Sequence, residues 1–309
     1  MAAARFAEMP THRTPIFGTV LTAMVTPFGT DGSLDLDAAQ HLAKGLVSSG
    51  SDGLVVAGTT GEGSTLTDDE KLDLFQAVAE AVTVPVLAGS SSNDTPHSIE
   101  LTRRAAQLPI SGHLVVTPYY NRPSQAGILG HFEAVARATS KPLVCYDIPV
   151  RTGRRIERST LAELSARCSN VVAVKDATGD VAAAAQSICA LGDAIQFYCG
   201  DDSLTLAFAA VGAVGVISVA SHWAAPLFQQ LFEAYRSGDV LGAMAVNQQL
   251  FSSYTFQSSE EFPNPLPAKA AMRTLGYRVG QCRLPMGEAP LQLDHAAAAM
   301  LDGLPAHRG

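Results

Sequence analysis

Eight short runs of apolar and β-branched residues, at 20–25, 53–57, 84–88, 113–116, 143–146, 171–174, 194–198 and 214–219, recur along the chain with helical patterns between them. Such runs lack the in–out alternation of a half-solvated strand, so each predicts a strand covered on both faces. Strands that alternate with helices must run parallel, because each helix carries the chain back over the sheet. Eight repeats suit closure of that sheet into a (β/α)8 TIM barrel. A doubly wound open sheet is the competing architecture. It calls for G-x-G-x-x-G after the first strand, where this chain has Thr26-Pro27-Phe28. The predicted fold is therefore α/β, with a loosely held or disordered arm at 1–15, a barrel at 16–238 and a C-terminal helical segment at 239–309. Thr67-Asp68-Asp69-Glu70 reads as a capping box opening a helix whose stripe is Leu72, Phe75, Val78, Ala79 and Val82. Ser159 and Thr160-Leu161-Ala162-Glu163 read as a second start of the same kind.

Composition narrows the function classes. The 309 residues are 47% hydrophobic, ample for a core, and 21 basic against 29 acidic residues give a net charge of −8. That balance, with no Lys/Arg run, argues against nucleic acid or an anionic membrane as partner. Five cysteines, odd in number and without a CxxC pair, read as reduced thiols. No apolar signal region opens the chain, and no stretch reaches the roughly 20 apolar residues of a membrane span. The expectation is a soluble, cytoplasmic protein. The eight histidines show no HxH or HExxH spacing, so no metal is expected.

The residues that follow the strands set the polarity of the barrel. They read Thr26-Pro27-Phe28, Gly58-Thr59-Thr60-Gly61-Glu62, Gly89-Ser90-Ser91-Ser92-Asn93, Thr117-Pro118-Tyr119-Tyr120, Tyr146-Asp147-Ile148-Pro149-Val150-Arg151, Lys175-Asp176 and Gly200-Asp201-Asp202. Barrel active sites lie at these C-terminal strand ends. Of the five lysines, Lys44 and Lys71 fall on helix faces that look polar. Lys141 precedes a strand, and Lys269 opens a late helix. Only Lys175 ends an apolar strand. An amine held there is costly unless it is paired or uncharged, and a neutral amine is a nucleophile for ketones. The bland alternative is a lysine paired with Asp176 or a neighbouring acid.

Tyr146 ends the preceding strand, within reach of Lys175, where a phenol can carry protons; otherwise it is an aromatic core residue. The Gly58–Gly61 loop offers N–H groups and the Thr59 and Thr60 hydroxyls to a small carboxylate, unless it is only a turn. Arg151 can hold a second carboxylate through a bidentate pair, or can be one of several surface arginines. The late segment holds little convergent polar chemistry, so no catalytic role is expected there.

With these residues in place, the chain resembles the dihydrodipicolinate synthase / N-acetylneuraminate lyase family from Gly18 to about Pro285. The likeness rests on GTTGE (58–62), TPYYNRP (117–123), YDIPVRTG (146–153), VKDATGD (174–180), GDD (200–202), GVISV (215–219) and PNPLPAK (263–269). It implies a cofactor-free enzyme in which Lys175 forms an imine with pyruvate. Tyr146, Thr59 and Tyr120 form a proton relay, with Tyr120 supplied by a neighbouring subunit. Thr60 and the Ile217 backbone hold the pyruvate carboxylate, and Arg151 receives the second substrate. The Thr59-Thr60 pair and the Arg151-Thr152-Gly153 arm favour the branch that condenses pyruvate with L-aspartate 4-semialdehyde. The alternative is a lyase releasing pyruvate from a 2-keto-3-deoxy sugar acid or a hydroxy-oxoglutarate. The family resemblance also implies a homotetramer built as a dimer of dimers. Relatives sensitive to lysine bind it near the residues matching Asp68, Lys71 and His97. Here a histidine replaces a glutamate and Lys71 adds positive charge, so weak inhibition or none is expected.

Overall fold

The computed structural model describes residues 13–257 and 259–305. Of the arm expected at 1–15, residues 1–12 lie outside the described residues. Eight parallel strands close into a barrel in chain order. They are β1 (Val20–Ala23), β2 (Gly53–Val56), β3 (Val86–Gly89), β4 (Gly112–Val116), β5 (Leu143–Asp147), β6 (Val171–Asp176), β7 (Gln196–Cys199) and β8 (Gly215–Ser218). The ring is completed by β8 pairing with β1 through Val20↔Val216 and Thr22↔Ser218.

Each strand is buried on both faces, which is why its sequence runs apolar without alternation. The two faces feed two separate cores. Leu21, Val55, Leu87, Leu114, Val144 and Ala173 fill the barrel interior, while Val20, Leu54, Val56, Val86, Val115 and Val174 pack outward against the helices. Among the described residues no helix is long and apolar enough to cross a membrane.

The Thr67 capping box is present as read, with Thr67 Oγ1 accepting from Glu70 N and Glu70 Oε2 accepting from Thr67 N. The buried face of that helix (Asp68–Ala81) differs from the expected stripe: Lys71, Leu74, Phe75, Ala77 and Val78 face inward. Lys71 is thus buried, not solvated. The second capping box is absent. Its helix starts earlier, at Arg158–Arg167, and no side chain caps its first turn. Beyond the barrel, helices Val240–Gln249, Phe251–Phe256, Leu266–Thr274 and Leu291–Gly303 form the late segment.

Candidate active site

Parallel pairing puts one row of residues across the barrel mouth. Val116 pairs with Tyr146, Tyr146 with Lys175, and Lys175 with Tyr198. Strand alternation turns Lys175 inward and Asp176 outward. Asp176 Oδ1 is occupied by Thr178, accepting from its N at 2.9 Å and its Oγ1 at 2.7 Å. Lys175 is 5% exposed. Its Nζ rests 4.3 Å from the centroid of the Tyr146 ring. Among the described residues no carboxylate forms an ion pair with it, so the Asp176 pairing is not what is found. Gly200 makes room for the lysine, since a Cβ there would lie 3.1 Å from Lys175 Cγ. In the same row, Tyr198 accepts a hydrogen bond from Phe17 N at 3.2 Å, and burial pushes its phenol up to about 12.

On the outer face, Asp147 and Asp176 are register partners behind Tyr146 and Lys175. Burial pushes the Asp147 carboxyl up to about 7, although its Oδ2 accepts from Ile156 N at 3.0 Å. Burial also raises Asp176. Removal from water disfavours a charged carboxylate, so both stay closer to neutral than free aspartates do.

The loop after β2 brings in the hydroxyls. It turns tightly on Ala57, at φ 52°. Gly63 is required there because a Cβ would lie 2.1 Å from Ala57 O. Thr59 lines a cavity of about 600 Å³ together with Val116, Tyr119, Tyr146 and Arg151. Thr60 lies 3% exposed behind it, its Oγ1 accepting from Asn264 Nδ2 at 3.0 Å. Ile217 is buried in the barrel interior, in the same core cluster as Tyr146. Arg151 stands exposed on a one-turn helix, Pro149–Thr152, and no carboxylate among the described residues pairs with it. Tyr120 stands apart from these residues. It is 90% exposed, at φ 72°, outside the cavity that Tyr119 lines.

The same cavity is also lined by Asp68, Lys71 and His97. Asp68 is already engaged, with His97 Nε2 at 2.7 Å and Lys71 Nζ at 3.6 Å.

Several residues that shape the site had no role assigned from sequence. Asp202 accepts from Val219 N at 3.0 Å and Ala220 N at 2.8 Å, fixing the turn after β8. His222 joins the ends of β1 and β8, its Nδ1 donating to Val219 O at 2.7 Å and its Nε2 accepting from Val25 N at 3.1 Å. Burial lowers His222 to about 4, which keeps the ring neutral for that double role. Asn264 and Lys269 come from the late segment, which was expected to hold little convergent polar chemistry. Both lie in PNPLPAK, a motif visible in the sequence but with no contact to explain it.

A family model for the dihydrodipicolinate synthetase family matches residues 16–303. The chain belongs to that family. The 4-hydroxy-tetrahydrodipicolinate synthase of Moorella thermoacetica is 47% identical over 287 residues, covering 92% of this chain and 97% of the relative. The dihydrodipicolinate synthase of Bacillus anthracis superposes with a TM-score of 0.90 at 38% identity, covering 94% of this chain and 99% of that one. The synthase of Cyanidioschyzon merolae, solved with lysine bound, gives a TM-score of 0.89 at 39% identity over 93% of this chain and 98% of that one. The family's barrel, with strands closed in the same way, is the fold described above.

Proposed function

We propose that this family member is a Schiff-base 4-hydroxy-tetrahydrodipicolinate synthase, joining pyruvate to L-aspartate 4-semialdehyde in lysine and diaminopimelate biosynthesis. The observation that carries this reading is the buried Lys175 amine. No carboxylate among the described residues pairs with it, and it rests on Tyr146 beside a cavity that Thr59 and Arg151 also line.

The Lys175 amine, once deprotonated, attacks the pyruvate ketone, and loss of water gives a cationic imine. That cation draws electrons from the neighbouring methyl group, which loses a proton to become an enamine carbon. The enamine attacks the aldehyde carbon, forming the new C–C bond, and the aldehyde oxygen is protonated to a hydroxyl. The amine of the second substrate then attacks the imine carbon and displaces Lys175. This closes the six-membered ring and frees the lysine. Tyr146, Thr59 and Tyr120 carry the protons in these steps. Thr60 and the Ile217 backbone hold the pyruvate carboxylate, and the unpaired Arg151 guanidinium takes the carboxylate of the semialdehyde. Tyr120 has no place in its own cavity, which supports a site completed by a second copy, within a homotetramer of two dimers. The free thiols, four of them buried, support a cytoplasmic setting.

Steady-state assays with pyruvate and a panel of aldehydes test the reading, run beside cleavage assays on 2-keto-3-deoxy sugar acids and hydroxy-oxoglutarates. Turnover with L-aspartate 4-semialdehyde at the highest kcat/KM is expected. Faster cleavage of a sugar acid would replace this reading with the lyase.

A further inference from the structure

The late helical segment reaches back to the loop after β2, and its contacts there are specific. Asn264 Nδ2 donates to Thr60 Oγ1 at 3.0 Å, from 204 residues away in the chain. Two residues past Thr60, Glu62 sits at φ 52°, a backbone that side chains with a Cβ rarely adopt. Its carboxylate meets Lys269 Nζ at 2.7 Å, both side chains almost wholly buried, and accepts from Arg283 N at 2.8 Å. Lys269 Nζ also donates to Gln281 O at 2.8 Å and stands 4.2 Å from the Phe28 ring centroid. Arg283 extends the grip to Thr65 O at 2.9 Å and Glu70 Oε1 at 2.5 Å. The loop bearing both threonines is thus held from outside the barrel.

A threonine hydroxyl has one proton and can rotate. Once an amide N–H occupies its oxygen, the proton must point elsewhere. We infer that Asn264 is a positioning residue for the reaction. By donating to Thr60 Oγ1 it turns the Thr60 proton towards the substrate carboxylate, with the Glu62–Lys269 pair fixing the loop on which this happens. The inference rests on the reading above that Thr60 holds the pyruvate carboxylate. A carboxylate anion accepts a hydrogen bond but cannot donate one. An aspartate at 264 would therefore pull the Thr60 proton away and add negative charge beside the bound anion, whereas an alanine would only release the rotor.

The test compares Asn264→Ala, Asn264→Asp, Thr60→Val and the double variant Thr60→Val/Asn264→Ala in the full-length protein. KM for each substrate, kcat and melting temperature are measured for each variant. The expected pattern is a pyruvate KM raised about threefold by Asn264→Ala and at least about tenfold by Asn264→Asp. In both, kcat stays within about threefold, the aldehyde KM is unmoved and the melting temperature is nearly unchanged. On the Thr60→Val background, Asn264→Ala should have no further effect on the pyruvate KM, because the group it acts through is gone. Additive effects in the double variant, or Asn264 variants that shift both KM values, kcat and melting temperature together, would overturn the role. If Thr60→Val raises the pyruvate KM while neither Asn264 variant does, this inference fails and the Thr60 reading stands. If Thr60→Val leaves the pyruvate KM unchanged, both fail.

Discussion

Lys175 and Tyr146 are neighbours because of strand register, not because of any contact special to the pair. Every second side chain of β5 and β6 enters the barrel, and these two fall at the same level. The amine lies on the ring face, 4.3 Å from its centroid, so the phenol oxygen is left at the ring edge for proton transfer. Tyr146→Phe keeps the ring and removes only that oxygen. It is expected to lower kcat by about 10²-fold, at the low end of what a positioned acid–base group supplies, while pyruvate still forms its adduct with Lys175. Steady-state kinetics beside adduct trapping check this, and near-normal turnover in Tyr146→Phe would remove the phenol from the relay. Lys175 was legible in the sequence because one lysine alone ends an apolar strand. Lys71 was not. Its helix packs against β2, β3 and the helix Thr95–Ala106, contacts that no periodicity along its own helix reveals.

At the level of elements, the β2 loop and the late segment form one unit. A buried ion pair is weak support for stability when intact, but leaving one partner alone is expensive. Lys269→Met strands the Glu62 carboxylate and is expected to destabilise the fold by about 3–5 kcal/mol. The double variant Glu62→Gln/Lys269→Met, which leaves no buried charge, should regain more than half of that. Denaturant unfolding of the two variants gives the comparison; equal losses in both would mean that the pair does not brace the loop. The strands were readable from the chain because burial on both faces writes itself as an unbroken apolar run. The brace was not readable, since PNPLPAK and GTTGE meet across some 200 residues, a separation over which local pattern carries no information. The missing capping box near Ser159 is a smaller case. Ile156 N is held by Asp147, and the helix begins at Arg158 without a side-chain cap.

For the whole molecule, the exposed and backbone-strained Tyr120 requires an explanation outside a single chain. At 90% exposure it has no internal packing to offset a positive φ. The assembly is expected to be at least a dimer that buries this ring. Tyr120→Phe should lower kcat more than it changes the pyruvate KM, and a fully active monomer by sedimentation would refute the shared site. Lysine is expected to inhibit weakly or not at all, because Asp68 is already held by His97 and Lys71 and a cationic ligand would meet Lys71 as a like charge. Half-inhibition at sub-millimolar lysine in the standard assay would show that the pocket around Asp68 still accepts it. The chemistry proposed for this site turns on a covalent imine at one lysine in each chain. Incubation with pyruvate and borohydride, followed by intact-protein and peptide mass spectrometry, tests it most directly. The prediction is one reduced pyruvate per chain, on the peptide containing Lys175, and none in Lys175→Ala. Modification at Lys71 or Lys269 instead, or undiminished trapping in Lys175→Ala, would contradict it.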